Sequence, residues 1–237
     1  MNTFRYAIQG ASLCVLCILC ALCASCGDKD SEGLSRFTYY PVLELQGDEY
    51  MVVDKGTTFQ DPGFTATLNG EDVSSQVTVN SNVNMNKSGV YTVVYSIKNS
   101  DGITANARRT VVVLDPNSAV EGFYLNAADS YRLREGAQVL YGRAYEVLII
   151  DNGNGTYAVD DLLGGWYCQR AGYGTKYAME ATIAIADDGT VTCSYSYVPG
   201  WQDGLDDFEG TFDAATKTFS LKAVYAAMDF VQTWTKE

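Results

Sequence analysis

The chain has 237 residues, of which 47% are hydrophobic and 19% charged, so it can build a core and global disorder is excluded. It carries 29 acidic against 16 basic side chains, a net charge of −13, and no nucleic-acid partner is expected because such binding needs Lys and Arg facing phosphates. The absence of histidine excludes Ser-His-Asp and Cys-His catalysis and His-ligated zinc.

Residues 1–25 are predicted to be a signal peptide. Arg5 is the only charged residue before Asp28, and the apolar run over residues 11–24 is shorter than the roughly 20 residues that a membrane-spanning helix needs. The sequence Cys23-Ala24-Ser25-Cys26-Gly27 resembles a bacterial lipoprotein signal, in which small residues precede a cysteine that becomes the lipid-modified N-terminus. The resemblance implies lipidation of Cys26.

Residues 26–36 are predicted to be an acidic tether, because residues 27–33 contain charged and small residues but no large apolar ones. This segment resembles the acidic export signal that follows the lipidated cysteine in surface lipoproteins of Bacteroidota-type bacteria. The resemblance implies a lipid-anchored protein of the outer membrane that is exposed at the cell surface.

Two cysteines, Cys168 and Cys193, lie beyond the lipidation site. An oxidising compartment would allow them to form one disulfide, whereas a pair of buried free thiols is the alternative. Both residues stand in strand-like runs, and their spacing does not decide between the two.

Residues 37–115 are predicted to form an immunoglobulin-like β-sandwich. Turn signals at regular intervals divide this segment into about seven short strands without helical periodicity. Asn69-Gly70 suits a two-residue hairpin because both residues tolerate positive φ. Gly89-Val90-Tyr91, at the start of a strand, is typical of a tyrosine corner.

The same segment resembles the bacterial immunoglobulin-like domains of surface lipoproteins and secreted glycosidases, which implies a spacer or presentation module. The residues that carry the resemblance are Pro41-Val42-Leu43-Glu44-Leu45, Asp61-Pro62-Gly63-Phe64, Lys87-Ser88-Gly89-Val90-Tyr91-Thr92-Val93, Asn99-Ser100-Asp101-Gly102 and Arg109-Thr110-Val111-Val112-Val113. Asp115-Pro116-Asn117-Ser118 is then predicted to be a short linker, because proline ends the strand.

Residues 119–237 are predicted to form a second all-β domain, an antiparallel barrel or a curled sandwich of lipocalin-like size. Predicted strands cover residues 144–150, 156–159, 177–186, 190–198, 211–212, 218–221 and 226–234, and Val139-Leu140 is also strand-like. Residues 151–155 are interpreted as a hairpin turn rather than a calcium loop, since they lack the regular ligand spacing and a distal glutamate. No metal or other cofactor is expected.

Two glycine- and aromatic-rich stretches, residues 162–174 and 195–208, are the candidates for ligand binding. Flat aromatic faces stack on sugar rings and anchor protein contacts, while carboxylates accept hydrogen bonds from hydroxyl groups. The alternative is that the tryptophans belong to the core of a small barrel. The candidate ligand-binding residues are Trp166, Tyr173, Trp201, Asp203 and Asp206.

The C-terminal segment also resembles a barrel-type domain of Bacteroidota outer-membrane lipoproteins that is paired with the immunoglobulin-like module. The residues that carry this resemblance are Asp161-Leu162-Leu163-Gly164-Gly165-Trp166-Tyr167, Gly172-Tyr173-Gly174, Tyr177-Ala178-Met179, Pro199-Gly200-Trp201 and Ala223-Val224-Tyr225-Ala226-Ala227-Met228-Asp229-Phe230. The resemblance implies an accessory lipoprotein of SusC/SusD-type importers, which take up glycans and, in some cases, oligopeptides.

The leading hypothesis is therefore a non-catalytic lipoprotein that binds or presents an oligosaccharide or oligopeptide for such an importer. One alternative is a purely structural or protein-interaction lipoprotein without a small ligand. The other is a surface glycan hydrolase that uses two of the carboxylates Asp203, Asp206, Asp207 and Glu209. The hydrolase is disfavoured because acidic loops are usually solvated turns, and we identify no carboxylate pair in an apolar stretch that would raise its pKa.

Overall fold

The computed structural model describes residues 37–237, so the predicted signal peptide, the lipidation site Cys26 and the tether over residues 26–36 lie outside the described residues. The described chain is all-β, as predicted, and residues Tyr40–Glu237 form one compact unit. Among the described residues, no helix is long and apolar enough to cross a membrane.

The N-terminal domain is a sandwich of two sheets. One sheet contains β1 (Val42–Leu45), β3 (Phe64–Leu68) and β4 (Glu71–Asp72); the other has the order β2 (Tyr50–Asp54), β7 (Thr104–Leu114), β6 (Gly89–Lys98) and β5 (Thr78–Ser81), with β2 parallel to β7. A short 3-10 helix covers Ser74–Gln76. Alternate residues of β6 and β7 point into the core, which places Val93, Tyr95, Val111 and Val113 between the sheets.

Two local predictions for this domain are confirmed. Asn69 and Gly70 have φ of 52° and 81° and join β3 to β4 as a two-residue hairpin. The hydroxyl of Tyr91 donates a hydrogen bond to the carbonyl of Lys87 at 2.8 Å, which is the bond of a tyrosine corner.

The C-terminal domain is a closed antiparallel barrel of eight strands. In order around the ring these are β8 (Gly122–Asn126), β11 (Tyr145–Asp151), β12 (Thr156–Val159), β13 (Glu180–Ile185), β14 (Thr190–Tyr197), β15 (Asp207–Asp213), β16 (Thr218–Tyr225) and β17 (Met228–Lys236), with β17 pairing back onto β8. A hairpin of β9 (Tyr131–Arg134) and β10 (Ala137–Leu140) attaches to β17. Packed side chains fill the interior, with Trp234, Phe230, Phe219, Tyr124 and Ile149 fully buried.

Several barrel boundaries differ from the prediction. Strands β8 and β9 were not predicted, and β15 begins at Asp207, within a stretch predicted to be a loop. Thr175–Tyr177 forms a 3-10 helix instead of the start of a strand. Ala226 and Ala227 have φ of 51° and 57° and form the tight turn between β16 and β17. In each case the pairing of strands that are distant in sequence, and not the local residue pattern, decides where a strand or turn begins.

The junction between the domains is more ordered than a linker. The buried side chain of Glu121 accepts backbone N–H bonds from Asp115 at 2.5 Å and from Asp151 at 3.1 Å, so one carboxylate joins the end of β7 to the barrel. Lys55 pairs with Asp115 at 3.1 Å. Leu148 on the outer face of the barrel also packs with Val112 and Leu114. The junction therefore fixes one domain against the other.

Candidate functional site

Four connections of the barrel meet at the same end of the ring. Antiparallel strands reverse direction at each step, so alternate connections lie at alternate ends. The links over residues 127–144, 160–179, 198–206 and 226–227 thereby share one end, whereas the tight turns over residues 152–155, 186–189 and 214–217 share the other. Both glycine- and aromatic-rich stretches predicted from the sequence fall at the first end.

Asp161 organises the longest of these connections. It is 2% exposed and accepts backbone N–H bonds from Leu163, Gly165 and Met179 at 3.0 Å each, together with the thiol of Cys168. Burial raises the pKa of this carboxyl, and the four donors oppose the rise by favouring the charged form. Asp161 thus fixes the path of the chain on both sides of Trp166.

Two glycines let this connection pass close to the barrel interior. Gly164 has φ of 56°, and a Cβ there would lie 2.1 Å from Oε1 of Gln232. Gly165 has φ of 84°, and a Cβ would lie 2.7 Å from Cβ of Tyr145. Only glycine combines these dihedrals with so close an approach.

Trp166 begins a five-residue π-helix, Trp166–Arg170, and lies in the core. It is 4% exposed, its ring meets Tyr141 and Phe230 edge-on, and the guanidinium groups of Arg132 and Arg170 lie 5.1 Å and 4.2 Å from its ring centre. The prediction that Trp166 binds ligand is therefore corrected in favour of the core alternative, because its faces and edges are already covered.

The second stretch places Trp201 at the surface. Trp201 is 40% exposed and lies in a turn, where its backbone N–H donates a hydrogen bond to the carbonyl of Val198. The N–H of Gly200 donates to the carbonyl of Lys176 at 2.6 Å, which ties this turn to the longer connection. A Cβ on Gly200 would lie 2.4 Å from the ring of Tyr177, so glycine is needed for the two stretches to approach.

The two stretches together build an aromatic platform, defined by Tyr167, Tyr173, Tyr177, Trp201 and Tyr225. Trp201 is at its centre, with ring centres 4.7 Å from those of Tyr167 and Tyr177 and 6.2 Å from that of Tyr225. Tyr173 is 55% exposed and stacks on Tyr167 at 6.2 Å and 21°. The platform presents two large aromatic side chains to solvent on a layer of three others.

The predicted carboxylates also lie at the platform. Asp203 is exposed and accepts a hydrogen bond from the hydroxyl of Tyr225 at 2.7 Å. Burial, this bond and the nearby charge of Asp206 raise the pKa of Tyr225. The structure thus brings four of the five predicted residues, Tyr173, Trp201, Asp203 and Asp206, to one place.

Three platform members were not among the residues predicted from the sequence: Tyr167, Tyr177 and Tyr225. Tyr167 and Tyr177 flank the glycine-rich loop around Tyr173, and their proximity to it was the only available signal. Tyr225 is the last residue of β16, more than twenty residues from Trp201, and only closure of the barrel brings them together.

The cysteine alternatives are decided in favour of free thiols. The thiol of Cys168 donates to Asp161 at 3.0 Å, and that of Cys193 to the carbonyl of Tyr195 at 3.1 Å. Burial raises the pKa of both thiols, and the charge of Asp161 adds to the rise at Cys168. The predicted possibility of a disulfide is therefore corrected, because the two sulfur atoms are hydrogen-bonded to separate partners, Asp161 and Tyr195.

Asp160 is a single carboxylate in a partly apolar setting, which the search for carboxylate pairs in apolar stretches of the sequence did not identify. Its Oδ1 accepts the N–H of Leu148 at 2.8 Å, and its side chain stays exposed at the mouth of an apolar cleft. The surrounding protein atoms, with the charges of Asp161 and Glu146, raise its pKa to about 7. This setting could not be predicted from the sequence because the apolar wall comes from neighbouring strands.

This shift predicts a pH-dependent stability difference between the wild type and Asp160→Asn. Between about pH 4 and pH 7 the folded protein holds a proton at Asp160 that the unfolded chain has released, so the contribution of Asp160 to stability falls as pH rises through this window. We therefore expect the urea midpoint of Asp160→Asn to rise relative to the midpoint of the wild type as the pH is raised from 4.5 to 8. A difference that stays constant with pH would contradict the assignment.

Comparisons with known proteins agree with this architecture. A bacterial surface protein Ig-like domain model matches residues 43–113, and a C-terminal domain model of a second family matches residues 114–236. These matches define a bacterial surface protein with an immunoglobulin-like module followed by a barrel domain.

The chain is similar to the lipoprotein BT2262 from Bacteroides thetaiotaomicron, for which a crystal structure is known. The two sequences are 37% identical and the structures superpose with a TM-score of 0.69, over 83% of this chain and 100% of BT2262. The chain belongs to this BT2262-type family of surface lipoproteins, which indicates a location in the cell envelope.

More distant structures add little. The CBM51-2 and INT domains of Clostridium perfringens ZmpB, solved in complex with GlcNAc, are 17% identical with a TM-score of 0.27, over 83% of this chain and 48% of that one. The M60 catalytic domain with the CBM51-1 and CBM51-2 domains of the same protein is 15% identical with a TM-score of 0.29, over 85% and 24%. Neither likeness supports a functional argument. No curated protein matches the chain.

Proposed function

We propose that this protein is a non-catalytic lipoprotein on the outer surface of the outer membrane, an accessory subunit of a SusC/SusD-type nutrient importer. Its aromatic platform binds an oligosaccharide or oligopeptide and holds it near the importer. The observation that carries the binding proposal is the joint exposure of Trp201 and Tyr173 on a packed layer of three tyrosines.

The platform has the properties of a contact surface. Exposed tryptophan and tyrosine are over-represented at binding sites because they bury large areas at a low cost in side-chain entropy. Trp201 and Tyr173 meet at 83° with ring centres 6.4 Å apart, so their faces form a corner rather than a flat plane. Asp203 and Asp206 at its edge supply acceptors for hydroxyl or amide donors.

Support for a non-catalytic role comes from the engagement of the nearby carboxylates. Asp161 is saturated by four donors, and Asp203 is held by the hydroxyl of Tyr225. A hydrolase needs a proton donor and a nucleophile or base facing the same bond. These two carboxylates are used to build the platform instead. The immunoglobulin-like domain, fixed to the barrel through Glu121, serves as the spacer.

The binding proposal predicts the effect of Trp201→Ala. Removing the central ring should weaken binding of the recognised ligand by about tenfold or more, because an anchoring aromatic contributes on the order of 1.4 kcal/mol or more. The fold should persist, since Trp201 is partly exposed. The measurement is calorimetric titration against panels of oligosaccharides and oligopeptides, with circular dichroism as the folding check. Tyr40→Ala is the control, because Tyr40 is an exposed aromatic of the other domain.

Two outcomes would contradict the binding proposal. If no member of either panel binds the wild type, or if a ligand binds Trp201→Ala as tightly as the wild type, the platform is not the binding site. If no ligand binds the wild type and Trp201→Ala unfolds the barrel, the platform is a structural cluster. That result favours the purely structural alternative. The panel that yields the ligand decides between a glycan and a peptide.

A further inference from the structure

A second concave site lies between the two domains, separate from the aromatic platform. This interdomain cleft has a volume of about 610 Å³, within the range of small-molecule sites. Its floor is the outer face of β11, β12 and β13, its side is the chain over residues 168–178, and Val90 of the immunoglobulin-like domain stands at its edge. The platform uses the side chains of Tyr167, Tyr173 and Tyr177 from the same connection, none of which line the cleft.

The floor of the cleft is apolar although it is on the outside of the barrel. Residues alternate along β11, so Val147 and Ile149 point into the core while Leu148 and Ile150 point outward. Ile150 pairs with Ala158 of β12, and Ala158 pairs with Thr182 of β13, which makes one continuous row across three strands. Leu148 is buried against Val112 and Leu114 of β7, whereas the row of Ile150, Ala158 and Thr182 lines the cleft.

The charged groups at the cleft are all acidic. Asp160 and Glu180 are both exposed there, and within the described residues neither forms an ion pair with Lys or Arg. Glu146 lies close enough for its charge to act on Asp160, and Asp161 lies directly behind it. The cleft therefore combines an apolar wall with uncompensated negative charge, which a cation attached to an apolar body would complement.

We propose that the interdomain cleft binds a small organic cation, an ammonium group carried on an apolar body, with the ammonium at Asp160 and Glu180 and the apolar part along Ile150 and Ala158. Asp160 accepts the N–H of Leu148 and a backbone bond from Asp161, and because a carboxylate has about four acceptor positions, its exposed side chain can still accept a donor from the ligand. The three donors of a primary ammonium suit such a carboxylate pair.

The proposal implies binding that strengthens as pH rises. The pKa of Asp160 is raised to about 7, chiefly because surrounding protein atoms displace water from the carboxyl, while Asp161 and Glu146 add to the rise and the N–H of Leu148 opposes it. The pKa of Tyr50 is also raised, first by loss of contact with water and then by the charges of Glu146 and Asp160, so Tyr50 is a further titratable group near this carboxyl. Asp160 is thus mostly neutral at pH 5.5 and mostly charged at pH 8.

The test uses three probes of matched shape: 4-phenylbutylamine, 4-phenylbutan-1-ol and 4-phenylbutyrate. Residues 40–237 form one compact unit, so a chain lacking residues 1–26 keeps both domains whole and avoids detergent in the cleft. At pH 8 we expect the amine to bind about tenfold or more tightly than the alcohol, and the butyrate more weakly than either. The preference for the amine should shrink to about threefold or less at pH 5.5 and in Asp160→Asn.

Steric variants locate the binding. Ala158→Phe fills the cleft and should abolish binding of the amine, whereas Ala184→Phe, on the same outer surface but outside the cleft, should leave it unchanged. Trp201→Ala should also leave amine binding unchanged, which separates this site from the platform. Equal affinities for amine and alcohol at pH 8, no binding of the amine at millimolar concentration, or binding retained in folded Ala158→Phe would each overturn the proposal.

Discussion

Replacement of Arg109 by methionine is expected to destabilise the immunoglobulin-like domain by about 3–5 kcal/mol, because it leaves a buried hydrogen-bonding network without its centre. Arg109 is fully buried and pairs with Asp61 at 3.3 Å. Its guanidinium also donates to the carbonyls of Gln46 at 2.8 Å and Gly63 at 3.0 Å, and to the carbonyl of Asp48. One side chain thus joins β7 to the loops after β1 and before β3.

The measurement exploits the distribution of tryptophan. All three tryptophans are in the barrel, so fluorescence follows that domain while far-UV circular dichroism follows both. For Arg109→Met we expect a circular dichroism transition at lower denaturant than in the wild type. Arg108→Met is the control, because Arg108 immediately precedes Arg109 in β7 and is exposed. Equal effects of the two substitutions would contradict a central role for Arg109.

Asp161→Asn is expected to destabilise the barrel by about 2–5 kcal/mol. The asparagine keeps one acceptor oxygen, but its amide group turns two N–H donors toward groups that are themselves donors, and a buried unsatisfied donor costs about 1–3 kcal/mol. The affected groups are the N–H groups of Leu163, Gly165 and Met179 and the thiol of Cys168. The platform should lose ligand affinity as well, since this connection carries Tyr167, Tyr173 and Tyr177.

Asp160→Asn is the matched control for this prediction. It removes the same charge one residue earlier, at an exposed position, and retains an acceptor for the N–H of Leu148. Tryptophan fluorescence during urea denaturation should show a large loss of stability for Asp161→Asn at pH 7 and no comparable loss for Asp160→Asn. If both variants unfold at the same urea concentration as the wild type, Asp161 does not organise the connection.

The sequence was sufficient for the features that depend on local chemistry. Alternation and turn residues predicted an all-β chain, the Asn69-Gly70 hairpin and the tyrosine corner at Tyr91, because φ preferences and side-chain alternation act within a few residues. The glycine-rich stretches also indicated where the platform would form. Glycine at 165 and 200 permits the close approaches on which it depends.

Features that depend on closure of the barrel could not be predicted from the sequence. Trp166 and Trp201 stand in similar glycine-rich contexts, yet one is buried between Tyr141 and Phe230 and the other is exposed, and only packing between distant strands separates them. The raised pKa of Asp160 has the same origin, since its apolar surroundings come from three strands and the other domain.

The most direct test of the proposed function is a mild-detergent pull-down of the tagged lipoprotein, with residues 1–237 intact, from the membrane fraction of the cells that make it, read by mass spectrometry. Cys26→Ala is the control, because loss of the lipid should remove the protein from that membrane. The account predicts stoichiometric recovery of a TonB-dependent channel together with its lid lipoprotein, and no such recovery with Cys26→Ala. Recovery of the lipoprotein alone from the membrane would contradict its role as an importer subunit.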